Sequence, residues 1–327
     1  MRILTDVNID WLRWRWHSLA LSWAIILGGV YVMATQGLPL GIDFAGGTNV
    51  EVRFEQPVTD DAVREALASV TGDKQVQTLD DPPNTKLIKL PQTTEREEGA
   101  GLEREANAVV DALTRAKVGK FEIRKTEIVG PVIGEALQRK GIYATVASLV
   151  GIMLYIALRF RFSFGVGAMI ASIHDVLITL SLLTFAGYEL SLNVIAAILT
   201  LVGYGVNDQI VIFDRVRENL RMARNQPMNV IINKSVNQTL PRTVITAGAT
   251  ALAVLSLYLF GGEVLEPFAF AMLVGIITST YSTVFIASAV AVLLSPKSRR
   301  AAAAPAATSP SAGEPARRSK PKKRAAS

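Results

Sequence analysis

Apolar and polar positions along this chain fall into two regimes. Four stretches carry no charge at all: Ser18 to Gln36, Gly141 to Leu158, Thr243 to Gly262 and Pro267 to Pro296. Two more are interrupted only in mid-course, Phe162 to Gly187 by His174 and Asp175, and Leu190 to Phe213 by Asp208. Crossing ~30 Å of hydrocarbon takes roughly 20 apolar residues at ~1.5 Å each. The pattern therefore predicts six transmembrane helices, at 17–36, 141–158, 162–187, 190–213, 243–262 and 267–295. A secretory signal peptide is the rival reading of the first, but no A-x-A-like site follows it and five more spans do.

The second regime is the stretch 37–140, long enough to fold as one domain. Thr48 to Phe54 alternates as a strand does. Thr59 to Val70 opens on Thr-Asp and spaces Val63, Leu67 and Val70 as a helix does. Gln75 to Leu79 and Thr85 to Leu90 read as strands around the turn Asp80 to Asn84. Gly101 to Ala116 sets Leu102, Ala106, Val109, Val110 and Leu113 on one helical face, and Phe121 to Val129 reads as a last strand. The order βαββαβ is that of a ferredoxin-like α+β unit. The expected fold is thus an α-helical polytopic membrane protein, a six-helix bundle carrying an external ferredoxin-like domain.

Composition narrows the chemistry. With no cysteine among 327 residues, disulfides, Cys-ligated metals and thiol catalysis are excluded, and two histidines exclude a His-rich metal site. The 37–140 stretch holds 18 acidic and 14 basic residues but no nucleophile–base pair, so a binding or mechanical role is expected of it. No cofactor loop appears, and an enzyme is not expected.

Charge placement gives the orientation. Arg2, Arg13 and Arg15 precede the first span, Arg159 and Arg161 separate the second and third, and 214–242 carries Arg215, Arg217, Arg221, Arg224, Lys234 and Arg242. The opposite short loops carry only Glu189, Glu263 and Glu266. By the positive-inside rule both termini are cytoplasmic and 37–140 is external. The N-terminal segment 1–16 ends in Trp11-Leu-Arg-Trp-Arg-Trp16, an expected interfacial anchor. The net charge of +6 comes from the tail 296–327, which holds 9 basic residues and 1 acidic. Its composition is that of a disordered segment, and anionic lipid is its expected contact rather than nucleic acid.

Candidate functional residues form two groups. Gly41-Ile-Asp-Phe-Ala-Gly-Gly47 and Val129-Gly-Pro-Val-Ile-Gly134 flank the external domain, with Gly41, Asp43, Gly46, Gly47, Gly130, Pro131 and Gly134 as either tight connectors or hinges. Ionisable groups inside a bilayer are costly and point to function. These are His174, Asp175 and Asp208, joined by Arg242 at the start of the fifth span. Burial favours a neutral Asp208 and a nearby guanidinium favours the carboxylate, so such a pair can take up a proton when the helices shift. A static pair locking two helices is the alternative. Thr200, Tyr204 and Asp208 share a helical face beside Gly203 and Asn207. His174 and Asp175 point ~100° apart on a helix, so relay and packing both remain open for them. Ala271, Gly275, Ser279, Thr283, Ala287 and Ala291 form a small-residue stripe that allows close helix approach, with a partner subunit as one candidate neighbour.

The segments GIDFAGG at 41–47, VGPVIG at 129–134, the HD pair at 174–175 and AAILTLVGYGVNDQIVIFDRVRENLR at 196–221 resemble the SecF family. So do VNQTLPRTVIT at 236–246 and LFGGEVLEPFAFAMLVGIITSTYSTVFIAS at 259–288. Members are membrane subunits of the bacterial SecD–SecF complex that assists protein export. The resemblance implies an RND-like bundle in the bacterial inner membrane and a SecD-like partner. It implies work beside the SecYEG translocon, with YajC and YidC, on an unfolded exported polypeptide, driven by the proton motive force with no other cofactor. It carries the family's key Asp and Arg to Asp208 and Arg242, while Asn207, His174 and Asp175 are relay candidates by their own position inside the spans. Gly205 and Gln209 depart from the more usual Ser and Thr of that motif. An RND-type exporter of small molecules or lipids, and a non-transporting scaffold, are the competing expectations.

Overall fold

The computed structural model describes residues 8–70, 74–79, 82–91, 100–160, 162–223, 226–262 and 264–294. Arg2, Arg161, Arg224, Glu263, the first part of the 80–84 turn and the tail 296–327 lie outside these, as does the side chain of Leu102.

A 3₁₀ turn at Trp11–Trp14 leads into α1 (Arg15–Gln36), and a short α2 (Ile42–Ala45) follows. The region expected to be external holds β1 (Gly47–Phe54), α3 (Asp60–Ala66), β2 (Gln75–Leu79), β3 (Thr85–Pro91), α4 (Ala100–Ala116) and β4 (Phe121–Val129). The bundle continues with α5 (Pro131–Arg159), α6 (Phe162–Ala186), α7 (Leu192–Met222), α8 (Met228–Phe260), α9 (Glu266–Ser282), a π-helical turn at Thr283–Ala287 and α10 (Ser288–Leu293). Six helical stretches are long and apolar enough to cross a membrane.

In the external domain the strands pair antiparallel in the order β2-β3-β1-β4, the arrangement expected of the split βαββαβ unit. Alternation in β1 places Val50, Val52 and Phe54 inward, where they meet Val63 and Leu67 and then Val109 and Leu113 of α4. Thr59 caps α3 by accepting from Ala62 N. On the sheet flank, Asp60 accepts from Lys86 Nζ (2.5 Å) and Thr78 Oγ1 (2.7 Å). These bonds, Lys86 first, hold the Asp60 carboxyl below the usual carboxylate range.

Three helices differ from expectation. α5 begins at Pro131, ten residues before the predicted span, because Glu135, Arg139 and Lys140 continue the same helix above the apolar run. The Arg139–Glu135 pair, one turn apart, supports that extension. The expected loop at 214–242 is almost wholly helical, with α7 running to Met222 and α8 starting at Met228. The reason is mutual packing. Val216, Met228, Ile231 and Ile232 are buried together, and Asn219 Nδ2 donates to Ser235 Oγ (2.8 Å) and Gln238 Oε1 (2.9 Å). As α7 and α8 contain 31 and 33 residues, each is longer than a bilayer requires and projects beyond it.

The small-residue stripe also turns out differently. Ala271, Gly275, Ser279, Thr283, Ala287 and Ala291 are all buried inside this chain's own bundle, so the stripe does not face a partner. A Cβ at Gly275 would overlap the Leu201 side chain of α7, and one at Gly167 of α6 would stand 2.9 Å from the Ala287 carbonyl. The small residues let α6 and α7 close on the last span.

Candidate functional site: a polar core and its link to the external domain

Asp208 sits near the middle of α7 and is buried. Arg242 lies well inside α8, fourteen residues from its start, rather than at a helix beginning, and its side chain is exposed on the flank of the single bundle. The guanidinium acts electrostatically on Asp208 without touching it, and Asp208 Oδ2 has no hydrogen-bond partner among the described residues. The sequence places these two charges together; the structure makes them a separated couple. Pro241, immediately before Arg242, removes one backbone donor from α8 and weakens the ladder beside the cation.

His174 and Asp175 occupy the middle of α6, both buried. Despite adjacent positions they meet, His174 Nδ1 lying 3.0 Å from Asp175 Oδ1. Ser282 of α9 donates to Asp175 Oδ2 (2.8 Å). The carboxylate thus faces α7 and α9, 3.8 Å from where a Cβ at Gly205 would stand. Gly205 precedes Asp208 by three residues, about 4.5 Å along the axis. The His–Asp pair therefore lies against α7 less than one turn from Asp208, toward the α7 end that Asp43 holds.

Around these groups the buried polar atoms are under-satisfied. His174 Nε2, Asp208 Oδ2, both amide atoms of Gln209, Ser279 Oγ, Thr243 Oγ1 and Tyr204 Oη have no partner among the described residues. Left dry, each such atom costs about 1–3 kcal/mol, and they gather on α6, α7 and α9 with Thr243 on the neighbouring α8. Asn207, Thr200 and Gly203 point the other way, onto an exposed face of α7 outside this cluster. Ser279, Ser282, Gln209 and Thr243 were not legible as site residues. Ser279 fell in the packing stripe, Gln209 showed only as a departure from the family motif, and Ser282 and Thr243 have no sequence signal beyond being polar in an apolar run. Among the described residues no three His, Cys, Asp or Glu side chains come together in a manner able to hold a metal ion.

The Gly-rich motifs are folded against the bundle. Within the first, Gly41 N donates to Leu190 O (2.9 Å) and Leu190 N donates to Pro39 O (2.6 Å). Asp43 Oδ2 accepts from Leu192 N (2.9 Å), placing a carboxylate at the N-terminus of α7, the helix that carries Asp208. Gly46 and Gly47 have φ of 76° and 139°, which a side chain would strain, and turn the chain into β1. In the second motif Gly130 is the N-cap of α5 and Pro131 its first residue. Gly134 lies inside the helix, where a Cβ would stand 2.9 Å from the Phe44 carbonyl. The two motifs thus interlock as one knuckle at the root of the domain. Lys89 of β3 adds an ion pair to Glu189 (2.9 Å) in the α6–α7 turn, a partnership that sequence alone does not show.

Comparison with known proteins finds relatives that cover most of the chain. Residues 109–297 match the family model of protein export membrane protein SecD/SecF, C-terminal, and residues 31–58 match that of the SecD/SecF GG motif. The protein translocase subunit SecF of Calditerrivibrio nitroreducens is 39% identical over 297 residues, covering 89% of this chain and 96% of that one. Its counterpart in Escherichia coli O157:H7 is 34% identical, covering 88% of each chain. The crystal structure of SecDF, a translocon-associated membrane protein from Thermus thermophilus, superposes with a TM-score of 0.77 at 34% identity. That likeness covers 90% of this chain, which spans 39% of the longer SecDF chain.

Proposed function

The chain belongs to the SecD/SecF family of protein-export membrane proteins, and from that premise we propose that it uses the proton motive force to help draw polypeptides across the membrane. Its bundle is the six-helix, RND-like kind, and the SecD-type bundle is its partner. The exposed face of α7, with Thr200, Gly203 and Asn207, is the side offered to that partner, and Arg242 stands on the adjoining flank of α8. Both termini lie in the cytoplasm and the ferredoxin-like domain outside the inner membrane, as the basic residues of the connecting ends favour. There it meets the chain emerging from the SecYEG translocon, with YajC and YidC as neighbours.

The observation that carries the reading is Asp208, a buried carboxylate under the field of Arg242 but not bonded to it. Protonation of Asp208 cancels their attraction, and α7 and α8 are then free to shift. The knuckle makes α7 a lever. Asp43 and Gly41 hold its outer end to the root of the domain, and Lys89–Glu189 adds a second hold. Movement of α7 therefore tilts the domain as a body, in place of bending at loose glycines. One charge crossing the full potential supplies about 2.3 kcal/mol per 100 mV, enough to bias such an equilibrium in each cycle. The test is export into membrane vesicles by complexes carrying Asp208→Asn. Assembly with the partner should be normal and the stimulation by the proton motive force lost. Full stimulation in an assembled Asp208→Asn complex would remove the switch from the account.

A further inference from the structure

The proton-coupling reading uses Asp208 and Arg242 and leaves the His174–Asp175 pair without a task. The pair is buried and built. Asp175 is 3% exposed, with one oxygen on His174 and the other on the Ser282 hydroxyl, while His174 Nε2 is aimed at no partner. The Tyr281 ring stands 6.3 Å from the imidazole, and its hydroxyl is already engaged by Ser22 and Ser18 of α1. Between this pair and Asp208 lies the seam of α7 and α9. Gln209 and Ser279 are fully buried there, and none of their side-chain polar atoms has a partner among the described residues. Gly205 opens the seam. A Cβ at that position would stand 2.6 Å from Ser279 Oγ and 3.8 Å from Asp175 Oδ2, so a side chain would fill the space those two groups share.

Resting on the proton-coupling reading, we propose that His174 and Asp175 form a second proton-holding site, which loads before Asp208 and passes its proton along the Gly205–Ser279 seam. An external proton adds to the unpartnered Nε2 of His174. The Nδ1 proton moves to Asp175, leaving a neutral imidazole and a neutral acid. Asp175 then gives its proton through the Ser279 hydroxyl, which takes one proton and releases another, to the Asp208 carboxylate. One proton enters and one reaches Asp208, only N–H and O–H bonds change, and the imidazole, left as its Nε2–H tautomer, returns to Nδ1–H by proton exchange before the next proton loads. Gln209 has a donor and an acceptor on one amide and is the positioning residue of this lane. The groups shown against the pair are Ser282 and Tyr281 from the last span and Gly205 of α7, with Ser279 beside Gly205. No second cation faces it among the described residues.

The experiment is proton flux through the full complex reconstituted in vesicles, read by an entrapped pH indicator across a range of external pH. Asp208→Asn serves as the reference. If it leaves flux intact, the coupling reading itself fails, whatever the other variants do. If it abolishes flux, His174→Gln decides the second site. We expect His174→Gln to lower flux about a hundredfold and to change the way flux depends on external pH. Asp175→Glu should restore most of what Asp175→Asn loses, which a packing role alone would not give. Gly205→Ala reports on the lane: an assembled variant with reduced flux and an unchanged pH midpoint supports it. Wild-type flux and pH profile in His174→Gln, with Asp208→Asn inactive, would overturn the proposal.

Discussion

Replacing Asp43 by Ala should loosen the outer end of α7 while leaving the rest of the bundle intact. The side chain accepts a hydrogen bond from Leu192 N at 2.9 Å, at the first residue of the helix. Loss of such a bond costs about 1 kcal/mol. Loss of a negative charge beside a helix N-terminus adds about 0.3–1 kcal/mol. Together they come to about 1.5 kcal/mol, a little over tenfold in the local opening equilibrium. Hydrogen exchange on the full chain in a membrane mimic reads this directly. Amides at the start of α7 should exchange about tenfold faster, while those around Asp208 and in β1 keep their wild-type rates. Asp43→Asn retains an acceptor and should show roughly a third of the effect, the charge share alone. Two results would refute the reasoning. One is unchanged exchange at the start of α7, which would mean that Ser191 and the Gly41–Leu190 bonds already hold that end. The other is faster exchange throughout the bundle, which would make Asp43 a general stabiliser and no specific link.

Gly275→Ala should lower the melting temperature through an overpacking cost of about 1–3 kcal/mol, because its Cβ meets Leu201. Leu201→Ala in the same chain should recover part of that loss, and a double variant as unstable as the sum of both singles would contradict it. Asp60 has its carboxyl held down by Lys86 and Thr78, so its folded value lies below the unfolded one. Its contribution is present above about pH 4 and lost as pH falls through the folded value. The urea midpoint of the external domain, followed by pulse proteolysis, should fall less between pH 7 and pH 3 in Asp60→Asn than in the wild type. Asn237 and Asn233 of α8 hold the backbone of Ile9 and Trp11 through four hydrogen bonds, and Asn237 accepts a fifth from the Trp11 indole N–H. Asn237→Leu should therefore speed tryptic cleavage at Arg13 and Arg15, and an unchanged rate would show that Trp11 against Phe285 suffices.

Hydropathy reveals where a chain is dry, and that is why the six spans and the alternating strands were legible. It does not reveal where a helix ends. Glu135, Arg139 and Lys140 break the apolar run but continue α5, and Arg215 to Met222 do the same for α7. Arg242 consequently moved from a helix start to a helix interior, and its relation to Asp208 changed from contact to action at a distance. The small-residue stripe announced close packing but not against what, since spacing fixes a face and not its neighbour. The Gly-rich motifs were legible as special backbone, while their interlocking through Phe44, Asp43 and Leu192 depends on residues far apart in sequence. The same holds for Ser282 on Asp175: a hydrogen bond between α6 and α9 leaves no trace in either segment alone.

The central claim is that protonation of Asp208 is coupled to movement of the external domain through α7. It is tested most directly by measuring the position of that domain relative to the bundle, by distance labels on the cysteine-free chain in the assembled complex. Labels at Lys120 and Leu259 would be followed with and without an imposed proton gradient. The account predicts two distance populations whose ratio shifts with the gradient in the wild type. Asp208→Asn should hold one population at every gradient. A gradient-dependent shift that persists in Asp208→Asn would contradict the account.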